Sequence, residues 1–250
     1  MRTCRYRHGV DERWGQLEGE LVRPLSGEPW AGGLPEGRPV PLAEVTLLAP
    51  VRPSKVVCVG RNYVAHAREL GNEVPKQPLL FLKPSTSVVG PQEPIRCPAQ
   101  SREVHHEAEL GVVVGRTLTQ ATAAEAKQAV FGFTCLNDVT ARDIQREEKQ
   151  FTRAKGFDTF CPVGPVVDTG LDPTDLTVVC RVNGVERQRG STRDMTFDVY
   201  ALLAFISGVM TLLPGDLVAT GTPEGVGRIQ RGDWVEVEIP GIGILRNPVT

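Results

Sequence analysis

The stretch His105-His106-Glu107-Ala108-Glu109-Leu110-Gly111-Val112-Val113-Val114 sets two carboxylates two residues apart in a run otherwise suited to a buried strand. On a strand, residues i and i+2 point the same way, so Glu107 and Glu109 project together while Leu110 and Val112 turn to the opposite face. Carboxylates so placed repel each other unless something positive lies between them. Asp138, at the end of the separate apolar run Phe131 to Leu136, can bring a third carboxylate to the same point. Three oxygen anions without cysteine make a hard-cation site, for Mg²⁺ first and Mn²⁺ or Ca²⁺ after it. On spacing alone a solvated Glu face of an exposed strand accounts for the same pattern. His105 shares the parity of the glutamates and leaves open a mixed histidine and carboxylate site for Zn or Fe.

Two further groups could handle an anionic ligand. Gly60-Arg61-Asn62-Tyr63 follows the apolar run Lys55 to Val59 and sets a guanidinium and a phenol at a strand's C-terminal end, where Arg suits a carboxylate. Thr220-Gly221-Thr222-Pro223-Glu224-Gly225-Val226-Gly227 follows Leu217 to Ala219. Its glycines let backbone N–H groups converge on an anion, with the Thr222 hydroxyl as a further donor. It lacks the Gly-Lys-Ser/Thr end of a phosphate-binding P-loop, so a small carboxylate fits it better than a nucleotide. Lys155, one of six lysines, precedes Gly156 in Arg153 to Thr159 and read alone is a solvated surface charge.

The elements that must position these residues are mostly strands. Gly and Pro together make 46 of 250 residues, which implies many turns and a β-rich fold. Strand-like pieces around Cys4 to Val10 and Gln16 to Val22, then a Gly/Pro-rich stretch from Pro24 to Pro41, predict a small N-terminal β subdomain over residues 1–50. Pro50-Val51-Arg52-Pro53 separates it from a main domain over 51–250. Asn62 can cap a short helix through about Leu70, stopped by Gly71-Asn72, and on it His66 and Glu69 share a face. Leu79 to Leu82 and Glu107 to Val114 read as strands. Thr122-Ala-Ala-Glu125 is a capping box opening a helix through about Val130, and Thr140-Ala-Arg-Asp143 can cap another. Asn183-Gly184 between two apolar runs predicts a hairpin. Phe197 to Leu213 predicts the longest helix, ended by Pro214-Gly215, and Trp234 to Val249 a closing hairpin across Gly241 to Gly243.

Composition excludes several classes. Lys plus Arg 28 against Asp plus Glu 30 gives a net charge of −2, which rules out a strongly basic nucleic-acid binder and a polyacidic tail. The longest apolar stretch, Val199 to Leu213, is broken by polar residues and falls short of a membrane span, and Met1 to Asp11 is charged. A soluble, cytoplasmic protein with no membrane or nucleic-acid partner is therefore expected. The cysteines at 4, 58, 97, 135, 161 and 180 form no Cys-x-x-Cys, which excludes a zinc ribbon or a thioredoxin-type site, and Cys58, Cys135 and Cys180 read as core residues.

Taken in order, Gly60-Arg-Asn-Tyr63, Phe81-Leu-Lys-Pro-Ser85, His105-His-Glu-Ala-Glu-Leu-Gly-Val112, Asp138-Val-Thr-Ala-Arg-Asp143, Lys155-Gly-Phe-Asp-Thr-Phe-Cys-Pro162 and Thr220 to Gly227 resemble the fumarylacetoacetate hydrolase family, over about residues 54 to 248. The resemblance implies an α+β, β-rich fold with a mixed β-sandwich roll, and a homodimer. It implies one Mg²⁺ or Mn²⁺ per subunit on Glu107, Glu109 and Asp138, with no organic cofactor. It sets Arg61, Tyr63, Arg142, Gln145 and Thr222 around a small 2-oxo or enol acid, with Gly221 beside them, and Lys155 near the metal. His66 and Glu69 resemble the lid-helix dyad of the acylpyruvase branch, and residues 1–50 the small N-terminal domain of longer bacterial members. The implied activity is first that of a 2-hydroxyhepta-2,4-diene-1,7-dioate isomerase or related decarboxylase in aromatic catabolism, and alternatively acylpyruvate hydrolysis or oxaloacetate decarboxylation through His66 and Glu69. A metal-binding protein without turnover is the reading from another class.

Overall fold

The computed structural model describes all 250 residues. The N-terminal strands are β1 (Arg2–His8), β2 (Asp11–Glu18), β3 (Leu21–Pro24), β4 (Val40–Pro41) and β5 (Thr46–Leu48). The first hairpin turns at Gly9, whose φ of 61° suits a residue without Cβ. Asp11 to Gly15, outside the strand-like pieces read from sequence, belongs to β2. Arg7 lies directly across from Glu12, with Nη2 to Oε1 at 2.7 Å, and such cross-strand pairing overrides the weak strand preference of charged residues.

The rest of the chain runs through β6 (Val56–Gly60), α1 (Val64–Glu69), β7 (Leu79–Lys83), β8 (Val88–Val89), β9 (Val104–His106), β10 (Ala108–Val114), α2 (Ala123–Ala129), β11 (Val130–Asn137) and β12 (Thr140–Ala141). It continues through α3 (Arg142–Glu147), α4 (Thr152–Lys155), β13 (Cys161–Asp168), β14 (Thr177–Val182), β15 (Val185–Ser191), α5 (Val199–Val209), β16 (Leu217–Ala219), β17 (Gly227–Ile229), β18 (Trp234–Ile239) and β19 (Gly243–Pro248). A twelve-stranded mixed sheet follows the order β4-β3-β2-β1-β13-β11-β10-β16-β6-β7, with β5 and β8 off that path. Separate sheets are β12-β9-β17 and β15-β14-β18-β19. The N-terminal strands thus continue the main sheet, through Arg2 opposite Asp168.

Every residue of β10 is buried, because its two faces meet different cores. Leu110, Val112 and Val114 enter a large core that also takes residues of β14, β18 and α5, whereas Val113 enters a smaller one with Val56, Cys58, Leu136 and Leu217. Burial on both faces is the physical setting that an uninterrupted apolar strand requires. Trp14, Trp30 and Phe131 stack edge to face at 5.0 and 5.7 Å, joining the N-terminal strands to β11.

The capping box at Thr122 and Glu125 forms on α2. Asn183 and Gly184 both take positive φ in the predicted hairpin turn. Three local readings differ. Asn62 caps nothing: its amide donates to Phe197 O and Thr220 O at 3.0 and 2.8 Å and accepts from Phe197 N, tying three segments together before α1 begins. Thr140 and Asp143 leave α3 without a side-chain cap, since Thr140 turns inward and Asp143 accepts from Ser101 and Arg102 N. The Phe197 to Leu213 helix is confined to α5, started by Asp198 accepting from Tyr200 N and Ala201 N and ended where Met210 becomes extended. Leu212 then bridges to Leu118, so tertiary pairing takes the last turn. No helix is long and apolar enough to cross a membrane. All six cysteines are free, and all but Cys97 are buried.

Candidate active site

At Glu107, between β9 and β10, the chain crosses from the three-stranded sheet into the main sheet. Glu107 N donates to Asn137 Oδ1 at 2.9 Å and Asp138 N to Glu107 O at 2.8 Å, which locks the end of β11 against this crossover. Glu107, Glu109 and Asp138 each present one oxygen within 4.8 Å of the others, and all three residues are buried. The group contains no histidine, so the mixed site is not formed. The His105 ring turns to Glu103, with Nε2 to Oε1 at 3.0 Å, and His106 Nδ1 faces Gln188 Oε1 at 2.9 Å.

Cations surround this cluster unevenly. Lys155 Nζ lies 2.8 Å from Glu107 Oε2 and 2.6 Å from Asp138 Oδ2, and Arg142 pairs with Glu107 Oε1 while reaching Gln145. Lys83, fully buried, sets Nζ 2.5 Å from Asp138 Oδ1 and donates to Val139 O at 3.0 Å. No Lys or Arg reaches Glu109, whose Oε2 accepts only the Gly221 N–H at 2.8 Å. Its carboxyl is accordingly pushed well above the usual range, by burial and then by Asp138 and Glu107. Burial acts the same way on Glu107, yet Lys155 and Arg142 hold it well below that range. Lys155 is raised above its ordinary value although burial opposes this, because Asp138 and Glu107 favour its charged form.

Hard oxygen donors brought together with one carboxylate unanswered by any side-chain cation are what a divalent ion needs, so the residues present fit one. Lys155, a surface charge when read alone but near the metal by the resemblance, is buried against the cluster, and Lys83, part of the Phe81 to Ser85 motif, joins it there. The signal for Lys83 was a lysine inside an apolar strand run closed by Pro84.

A cavity of about 290 Å³ opens over the cluster and brings Arg61, His66, Arg142, Gln145, Lys155 and Thr222 to one wall or another. Arg61 takes a left-handed φ of 59°, a strained conformation that binding sites tend to hold, and its guanidinium has no partner within the chain. Tyr63 is buried with its hydroxyl unpartnered, and burial together with Glu109 raises its phenol. It does not line the cavity. His66, on α1, sets Nδ1 3.3 Å from Glu69 Oε2, and Glu69 Oε1 accepts from Gly225 N at 3.0 Å. Burial lowers the His66 imidazole below its ordinary value, against the pull of Glu107 and Glu69. The Thr222 hydroxyl, expected to donate to a ligand, donates to Ala108 O at 2.8 Å. Phe81 carries Lys155 Nζ 5.0 Å from its ring centre and meets Phe151 edge to face, forming the apolar side of the cavity.

Residues 55–250 match the fumarylacetoacetate (FAA) hydrolase C-terminal family. The chain belongs to the fumarylacetoacetate hydrolase family. Residues 1–50 match the family described as Rv2993c-like, N-terminal. The solved 5-carboxymethyl-2-hydroxymuconate delta-isomerase from Mycobacterium smegmatis is 45% identical with a TM-score of 0.94, covering 100% of this chain and 99% of that one. The 2-hydroxyhepta-2,4-diene-1,7-dioate isomerase from Mycobacterium marinum is 47% identical with a TM-score of 0.93, covering 100% and 98%. The human mitochondrial oxaloacetate tautomerase FAHD2A is 44% identical over 245 residues, 93% of this chain and 77% of that protein. The protein is thus an enzyme of this family with the strand-rich family fold, and its acidic triad could hold a divalent metal.

Proposed function

We propose that the protein acts on a small 2-oxo or enol dicarboxylic acid through an enolate, moving a proton along it as a 2-hydroxyhepta-2,4-diene-1,7-dioate isomerase, or releasing CO2 from it and protonating the resulting enolate as the related decarboxylase. The carrying observation is an imidazole paired with Glu69 on the same 290 Å³ cavity as three buried carboxylates and an unpaired guanidinium. A divalent ion on Glu107, Glu109 and Asp138 would supply Lewis-acid stabilisation of negative charge developing on the substrate. Glu69 accepts the Nδ1 proton of His66, which leaves Nε2 to take a proton from one position of the substrate and return it to another. Arg61 answers the distal carboxylate, and Lys155, held protonated by its neighbours, offsets substrate charge instead of acting as a base. The isomerases and the oxaloacetate tautomerase among the relatives support this choice. Mg²⁺ as the resident ion, a homodimer, a place in aromatic catabolism, and the division at residue 50 belong to the same reading, the last supported by separate family matches on either side.

The His66 and Glu69 pair also supports a second reading, in which Nε2 deprotonates a water that attacks an acylpyruvate. The deciding experiment supplies Mg²⁺ or Mn²⁺ with 2-hydroxyhepta-2,4-diene-1,7-dioate, oxaloacetate and an acylpyruvate, following enol absorbance and products. Isomerised or decarboxylated diacid is expected. Pyruvate from the acylpyruvate alone would replace the first reading with the second, and no metal-dependent turnover of any substrate would leave metal binding without catalysis. Glu109→Gln should abolish Mn²⁺ binding by calorimetry and lower turnover at least about 100-fold; unchanged turnover would sink the metal mechanism.

A further inference from the structure

Gln188 touches no part of the cavity, yet its side chain is buried to 1% exposure and every polar atom of it is committed to the elements that build the site. Its Oε1 accepts from Ala108 N at 3.0 Å and faces His106 Nδ1 at 2.9 Å. Its Nε2 donates to Thr222 Oγ1 and to Pro223 O, both at 2.8 Å. Thr222 in turn donates to Ala108 O, closing a ring of hydrogen bonds between β10 and the loop Thr220 to Gly227. The amide comes from a different sheet. On β15 the register shifts so that Cys180 faces Gln188 while Arg181 faces Glu186, and this bulge re-aims the strand toward the loop.

Backbone packing at the same seam is close. A Cβ on Gly225 would stand 2.2 Å from Arg187 O, and one on Gly190 would stand 2.5 Å from Pro223 Cβ. The loop therefore lies directly on β15. From that loop Gly221 N reaches Glu109 and Gly225 N reaches Glu69, so its placement governs both the unanswered carboxylate and the helix bearing His66.

The geometry points to Gln188 as a positioning residue for the substrate pocket: a bulged strand outside the catalytic sheet holds Thr222 and its loop in register through one fully satisfied amide. The kinetic part of this inference rests on the proposed function, and its structural part does not. A buried network with all partners present is rigid, and losing one member frees the group it held.

The test uses Gln188→Met, which keeps the volume and removes all four bonds, with Gln188→Glu as the same-size variant should the first not fold. Amide exchange read by mass spectrometry over residues 220–227 is expected to quicken about tenfold while β14 and β18 keep their protection. With oxaloacetate as the probe substrate, KM should rise about tenfold and kcat stay within about threefold. Gln188→Met combined with Thr222→Val should be no worse than Thr222→Val alone. Unchanged loop exchange, or KM unmoved while the loop loosens, overturns the inference. If the parent itself consumes no oxaloacetate, the proposed substrate fails and the exchange experiment alone sustains or overturns the role of Gln188.

Discussion

Lys155 lies between Glu107 and Asp138 with its ammonium wholly enclosed, so removing it leaves two buried carboxylates short of a partner. Lys155→Met is expected to lose about 3–5 kcal/mol of stability in urea denaturation without added metal. Mn²⁺ should restore more stability to this variant than to the parent, since a divalent ion would answer the same oxygens; equal gains in both would mean that lysine and metal do not share those carboxylates. Sequence alone made Glu107 and Glu109 legible as a pair because their spacing is local, although Glu107 lies at the break between β9 and β10 and not on a strand. Lys83 and Gln188 were not legible as site residues, because each reaches its partners through the pairing of strands distant in sequence. Arg61 was legible as a strand-end guanidinium, while its left-handed backbone was not.

Among the elements, the loop after β16 is constrained at Gly221, with φ at 96° and a Cβ that would stand 2.8 Å from Asn62 Cβ and 3.2 Å from Val59 O. Gly221→Ala should cost about 1–3 kcal/mol in backbone strain and contact, and should lower activity by drawing the N–H away from Glu109. A control lies on α2, where Thr122→Ala should cost about 1 kcal/mol through loss of the cap and leave kcat/KM unchanged. Thermal melts and steady-state kinetics on the two variants separate these effects. The contrast also shows where reading elements from sequence succeeds. The Thr122 cap formed because its partner is three residues away, whereas Asn62 and Thr140, with equally good capping chemistry, are taken by Phe197, Thr220, Glu107 and Asp138.

Across the whole molecule, three of the four histidines are held below their ordinary value of 6.5 chiefly by burial: His66, His105 and His106, the last to about 4. Between those lowered values and 6.5 the unfolded chain binds more protons than the folded one, so stability falls as pH drops through that window. Tm should fall by several degrees from about pH 7.5 to about pH 5, before most carboxylates titrate. Because the raised Glu109 carboxyl works in the opposite sense, the measurement is made on Glu109→Gln, where a flat Tm over that range would mean that the imidazoles are solvated. The division of the chain was visible as Pro50 to Pro53, whereas the continuity of the N-terminal strands with β13 was not, since nothing local marks Arg2 as the partner of Asp168. That junction has an optical side. Two of the three indoles, Trp14 and Trp30, stand edge to face with each other, and Trp30 with Phe131, where the N-terminal strands meet β11; the third, Trp234, lies under Arg246 4.2 Å away. Intrinsic fluorescence therefore reports chiefly on the seating of residues 1–50. A fluorescence transition that precedes the loss of circular dichroism would record those strands lifting from the sheet before it melts.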